Sequence, residues 1–202
     1  MTARIFLLAI YCALLLTACA RTPKLPPLAS DAVILAFGDS LTAGTGAEPA
    51  QSYPAILQML IHRNVVNAGI PGELSGEGAA RLAAVLDQVR PQLLILCHGG
   101  NDLLRRTGEA AAEVNLRAMV RLAQERGIAV MIIAVPKPGL RLAPPDYYAN
   151  IAKDAKAPIE SDVLSGILSN NTLKSDIAHP NAAGYRQLAE AVAVVLKKAG
   201  AM

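Results

Sequence analysis

Short runs rich in Val, Ile and Leu recur at residues 32–37, 65–66, 93–97 and 128–135, each followed by Gly or Pro. None alternates apolar with polar residues as a half-exposed strand does, so they read as strands covered on both faces, the pattern of a parallel sheet. Helical periodicity fills the intervals at residues 50–61, 78–90 and 109–126, where Leu116, Met119, Val120 and Ala123 fall on one face. Pro91 and Gly127 stop the second and third of these. Beyond them the pattern predicts a helix at 146–156, a short strand at 158–159, no clear element through 171, and a closing helix at 182–198. That last helix carries Tyr185, Leu188, Val192 and Val195 as its stripe. Each crossover helix has to bury its apolar face on the sheet, so the chain predicts one α/β domain with helices on both faces.

In such a sheet ligands gather at the carboxyl ends of the strands. The loops there hold Gly38-Asp39-Ser40-Leu41-Thr42, Asn67-Ala68-Gly69 and Gly99-Gly100-Asn101-Asp102. A fourth group, Asp176-Ile177-Ala178-His179-Pro180, precedes the last helix. Nucleophilic acyl chemistry needs a hydroxyl, an imidazole base, a carboxylate to hold the imidazole and donors for an oxyanion. Ser40, His179 and Asp176 supply the first three. The side chain of Asn101 and the unshielded backbone amide of Gly69 are the candidate donors.

These loops closely resemble the four blocks of the SGNH, or GDSL, hydrolase family. "GDSLTAG" stands at 38–44, "NAGIPGELS" at 67–75, "GGND" at 99–102 and "DIAHPN" at 176–181. The likeness spans essentially the whole mature domain and is nearest to the bacterial arylesterase and lysophospholipase or thioesterase branch. It implies a three-layer, flavodoxin-like fold with five parallel strands. The implied triad is Ser40, Asp176 and His179, and the implied oxyanion hole is the Ser40 amide, Gly69 and Asn101. The substrate class is a small-molecule or lipid ester, with no cofactor. One departure from relatives is Glu73-Leu74 after Gly72, where an acidic residue and then Thr or Ser is usual; it bears on a loop hydrogen bond. No insertion is long enough to form a bulky lid.

Arg4, the apolar run 5–16 and the small residues after it have the order of a secretory signal, and the run is too short to span a bilayer. Leu16-Thr17-Ala18-Cys19 resembles a bacterial lipobox. Residues 1–18 then form a signal peptide, Cys19 is the lipidated N-terminus, and 19–30, with Pro23, Pro26 and Pro27, form an extended tether to the domain at 31–202. The competing site is ordinary cleavage after Ala20. Ala20, rather than Asp, after the Cys implies sorting to an outer membrane. Cys12 lies in the signal and Cys19 is the proposed anchor, which leaves Cys97 alone in the domain without a disulfide partner. A net charge of +3, evenly scattered, does not suggest nucleic acid.

Simpler roles compete for several residues. Ser40 could merely cap a helix, and Asp39 and Asp102 read as loop organisers. Asp176 and His179 lack a further ligand at metal-site spacing, so no metal is expected. Cys97 ends a buried run and reads as core; His98 reads as structural, with substrate contact as the alternative. His62 sits at a helix end. Tyr147 and Tyr148 divide between core packing and a pocket wall. The glycines at 38, 44 and 46 match neither phosphate-loop nor dinucleotide spacing. Two other functions use the same framework: an O-acetylesterase acting on envelope polysaccharide, disfavoured by a 3% aromatic content, and a catalytically idle lipid-binding lipoprotein.

Overall fold

A computed structural model describes residues 23–139 and 141–202. The signal peptide at 1–18 and the lipidation candidate Cys19 lie outside the described residues. Five strands, β1 (Val33–Gly38), β2 (Asn64–Gly69), β3 (Leu93–Cys97), β4 (Ala129–Ile133) and β5 (Ile159–Glu160), form one parallel sheet in the order β2-β1-β3-β4-β5. Among the described residues there are eight α-helices: α1 (Ser40–Ala43), α2 (Tyr53–Ile61), α3 (Ser75–Val89), α4 (Gly100–Arg105), α5 (Glu109–Glu125), α6 (Tyr147–Asp154), α7 (Val163–Ser169) and α8 (Ala182–Ala199). Helix α2 packs on α8, and α3 packs on α5; the two pairs cover opposite faces of the sheet. The expected three-layer, five-stranded α/β architecture is therefore present.

The centre of the sheet explains its unbroken hydrophobicity. Ile34 to Phe37 of β1 and all five residues of β3 are fully buried, because helices cover both faces of these strands. Edge strand β2 differs. Six residues pair with β1, yet much of the strand is only partly covered, so the apolar signal shrank to Val65 and Val66.

Local chemistry accounts for the other differences. The region expected as one helix at 50–61 divides into a 3-10 turn, Pro49–Gln51, and α2, with Ser52 extended between them. Pro54 lacks an amide hydrogen and belongs in a first turn, so the helix begins beside it. Helix α7 falls where no pattern was read: it has seven residues with Gly166 inside, too short and too interrupted to show a period. In α8 the buried stripe ends on Leu196 and Ala199, while Val195 is half-buried.

The segment read as a tether is packed from Leu25 onward. Leu25 and Leu28 are buried, and their amides donate to the carbonyls of Ala199 and Ala201 at 2.9 Å each. This clasp lies at the end of α8 remote from His179, where the strands begin.

Candidate active site

The sheet order reverses direction between β1 and β3, and a crevice opens at the carboxyl ends of strands at such a point. Gly38 pairs with Cys97 across this junction. A Cβ on Gly38 would lie 1.9 Å from the Cys97 carbonyl oxygen, so only glycine lets β1 turn there. The turn delivers Ser40 as the first residue of α1. The capping role belongs to Asp39, whose Oδ1 accepts from the Leu41 amide at 3.1 Å. The Ser40 amide has no hydrogen-bond partner among the described residues.

The segment before α8 brings the other two groups. Asp176 Oδ1 accepts from the amides of Ala178 (2.7 Å) and His179 (2.8 Å), folding the loop back on itself. His179 Nδ1 lies 2.8 Å from Asp176 Oδ2 and 3.0 Å from Oδ1. A carboxylate can only accept, so Nδ1 carries the proton and Nε2 is left as an acceptor. Nε2 stands 2.9 Å from Ser40 Oγ. Burial opposes ionisation of Asp176, but the bonds from the imidazole and the two amides outweigh it and hold the carboxyl below its usual range. Asn181 caps α8 through the amides of Ala183 and Gly184 and so fixes where this loop ends.

Asn101 enters from α4. One hydrogen of its amide donates to the Glu73 carbonyl at 3.1 Å, and the other remains available, since an amide nitrogen carries two. The Gly69 amide is already engaged: it donates to its neighbour Asn67 Oδ1 at 3.0 Å. Gly69 serves a different need, because a Cβ there would lie 2.1 Å from the Ala43 amide nitrogen in α1. Three residues on, Gly72 has a φ of +81° and an amide without a partner among the described residues. The Pro71-Gly72 pair is a turn signature that demands positive φ at the glycine, a signal the sequence reading did not use.

The remaining candidates have structural places. Asp102 accepts from Ser75 through the amide at 2.9 Å and the hydroxyl at 2.8 Å, joining α4 to the start of α3. Leu74 cannot cap α3 with a hydroxyl; Glu77 reaches back to its amide at 2.8 Å instead. Glu73 is buried beneath the loop, with its carboxylate on Arg81 at 2.5 and 2.7 Å and on His98 at 3.0 Å. Cys97 is fully buried; desolvation, then the charge of Asp39, push its thiol well above the usual range, which leaves it inert at neutral pH. His62 closes α2 in the left-handed region. Tyr147 and Tyr148 are core residues, and the Tyr148 hydroxyl donates to the His98 carbonyl at 2.7 Å. Among the described residues no group of three His, Cys, Asp or Glu side chains could hold a metal.

A parallel sheet with a serine, histidine and aspartate in one relay at its switch point defines a hydrolase class, and comparison places the chain within it. The chain belongs to the GDSL-like lipase/acylhydrolase family, whose pattern matches residues 36–187. It is 32% identical to esterase TesA of Pseudomonas aeruginosa over 92% of this chain and 98% of that protein. It is 30% identical to thioesterase 1/protease 1/lysophospholipase L1 of Escherichia coli over 73% of this chain and 75% of that protein. A crystal structure of TesA superposes with a TM-score of 0.75 at 31% identity, covering 83% of this chain and 99% of that one. The protein is accordingly a carboxylic ester hydrolase of the SGNH type.

Proposed function

We propose that ester cleavage proceeds through an acyl-enzyme on Ser40, and the observation that carries this is the unbroken relay from Asp176 through His179 to Ser40. His179 Nε2 accepts the Ser40 proton as Oγ attacks the ester carbonyl, while Asp176 holds Nδ1–H and stabilises the imidazolium. The developing oxyanion takes hydrogen bonds from the Ser40 amide, the Gly72 amide and the free hydrogen of Asn101, with Gly72 in the place first assigned to Gly69. His179 then protonates the departing alkoxide. Water, deprotonated by the same imidazole, releases the acid and restores Ser40.

A pocket of about 280 Å³ beside the relay supports an acyl chain as the recognised part. Leu104, Val135, Pro136, Leu142, Leu168 and Ile177 line it, and Gly100 and Ala178 connect it to the loops of Asn101 and His179. That volume is at the small end of ligand cavities, which favours short to medium chains. The purified domain should hydrolyse p-nitrophenyl butyrate to octanoate faster than palmitate. Ser40→Ala should lose several orders of magnitude and all fluorophosphonate labelling, and Asn101→Ala about a hundred- to a thousandfold in kcat. Wild-type rates in Ser40→Ala refute the nucleophile. Turnover confined to acetyl esters, with acetylated polysaccharide the best substrate, refutes the acyl pocket.

We further propose that Cys19 is lipidated and holds the enzyme on the periplasmic face of the outer membrane. The lipobox supports the anchor, and the clasp of Leu25 and Leu28 gives it an orientation. Six residues from Cys19 span at most about 20 Å, and they leave from the end of the sheet opposite the relay, so the site faces away from the anchoring leaflet. Metabolic labelling with an alkynyl palmitate tests this: label that survives Cys19→Ser, or a soluble wild-type protein, removes the anchor.

A further inference from the structure

The oxyanion donors proposed above come from two loops, Gly72 from β2–α3 and Asn101 from the turn after β3, and their spacing must be fixed before substrate binds. Side chains join those loops at several points: Arg105 donates to the Gly72 carbonyl at 3.0 Å, Asp102 accepts from Ser75, and His98 reaches Glu73. His98 is fully buried at the end of β3. Its Nδ1 accepts the Gly99 amide at 2.9 Å, so the ring proton sits on Nε2, which donates to Glu73 Oε2 at 3.0 Å. Glu73 is gripped a second time from the same turn, because its carbonyl accepts from Asn101. Residue 73 is thus held through its carboxylate by His98 and through its backbone by Asn101, and Gly72 immediately precedes it.

The surroundings hold the ring in this one pose. The His98 carbonyl accepts from Tyr148. Helix α3 carries glycine at 78, where a Cβ would stand 2.4 Å from His98 Nε2. Arg81 completes the far side: it bonds Glu73, reaches the Ala68 carbonyl at 2.9 Å and lies 3.9 Å above the Phe37 ring. The imidazole is shielded from solvent and has both nitrogens engaged by protein, so it has no free atom to offer a substrate.

We propose that His98 is a positioning residue for the oxyanion hole, setting the distance between the Gly72 and Asn101 donors through its bond to Glu73. The inference rests on the oxyanion assignment above. Its effect belongs to the transition state, because the donors tighten on the oxyanion more than on the ground-state carbonyl.

Two substitutions divide the roles of the ring. His98→Asn keeps an acceptor near Nδ1 for Gly99 but removes the reach to Glu73; His98→Gln keeps an amide near Nε2 for Glu73. His98→Asn should lower kcat about tenfold with KM within about twofold, and His98→Gln should recover most of the loss. In an Asn101→Ala background, His98→Asn should cost less than about twofold more, since one of the two donors whose separation it sets is already gone. An undiminished loss in that background, or wild-type kcat in folded His98→Asn, overturns the proposal. If His98→Asn does not fold, Gly78→Ala displaces the ring while keeping every polar group, and the same two results decide. An Asn101→Ala enzyme with full activity refutes the oxyanion assignment itself and the brace with it, an outcome separate from failure of the brace alone.

Discussion

Gly46→Ala tests whether the position of His179 depends on the loop that follows α1. Gly46 has a φ of +98°, and a Cβ there would meet Ser175 Oγ at 2.1 Å and the Pro180 carbonyl oxygen at 2.6 Å. Ser175 can rotate away; the Pro180 carbonyl is backbone and cannot. Its distance falls about 0.8 Å short of ordinary contact at 3.4 Å, so the segment holding His179 must retreat by nearly that much. That segment moves as a unit, because the Ser175 amide donates to the His179 carbonyl and Asp176 accepts from Ala178 and His179. The aspartate–histidine bond survives such a shift, while the 2.9 Å bond from Nε2 to Ser40 stretches beyond hydrogen-bonding range. A misplacement near 1 Å costs up to about a hundredfold in rate, so kcat should fall about thirty- to a hundredfold. Positive-φ strain and overpacking together cost about 2–5 kcal/mol, which lowers Tm by roughly 5–15 °C at this size. The assay is kcat on p-nitrophenyl butyrate at 25 °C, beside a thermal melt by circular dichroism. Adding Ser175→Gly should restore part of the stability and little of the rate, since the Pro180 contact remains. A folded Gly46→Ala enzyme within threefold of wild-type kcat refutes the coupling of this contact to His179.

Three further variants test the same geometry. Burial opposes ionisation of Glu73, but hydrogen bonds from Arg81 and His98 outweigh it and bring its pKa below the ordinary 4.5; its stabilisation is therefore complete above that value and is lost as pH falls through the folded pKa, so chemical denaturation between pH 3 and 6 should show a decline that Glu73→Gln flattens. The same variant leaves Arg81 without its counter-charge and should lose about 3 kcal/mol at pH 7, the low end for a broken buried pair because Arg81 is 22% exposed. Tyr185→Phe removes the bond from its hydroxyl to the Thr45 carbonyl at 2.8 Å and should cost about 1–2 kcal/mol in a urea titration. Leu25→Asp places a charge in the clasp against Ala199 and should lower Tm by several degrees with kcat unchanged, because the clasp lies at the far end of the sheet from Ser40.

What the sequence reveals follows from how much of each signal is local. The central strands and long helices were legible because burial on two faces or on one stripe dictates residue type position by position, as at Leu93–Cys97 and at Leu116, Met119, Val120 and Ala123. Strand β2 and helix α7 were faint for the opposite reason: one is an edge whose pairing is made by backbone, the other is seven residues with a glycine inside. The docking of Leu25 and Leu28 depends on carbonyls more than 170 residues away, at Ala199 and Ala201, which no window of sequence can bring together. The same limit separates the two glycines of the second block. Ser40, His179 and Asp176 can be named from residue type because their chemistry resides in side chains. An oxyanion donor from the backbone has no side chain to declare it, and Gly69 and Gly72 differ only in what else their amides can reach. Asn67, two residues before Gly69, engages one of them; the other, in the left-handed turn at Gly72, has no partner among the described residues. A backbone donor is therefore identified by accounting for the hydrogen bonds already made around it, and that accounting favours Gly72 over the glycine nearer the strand.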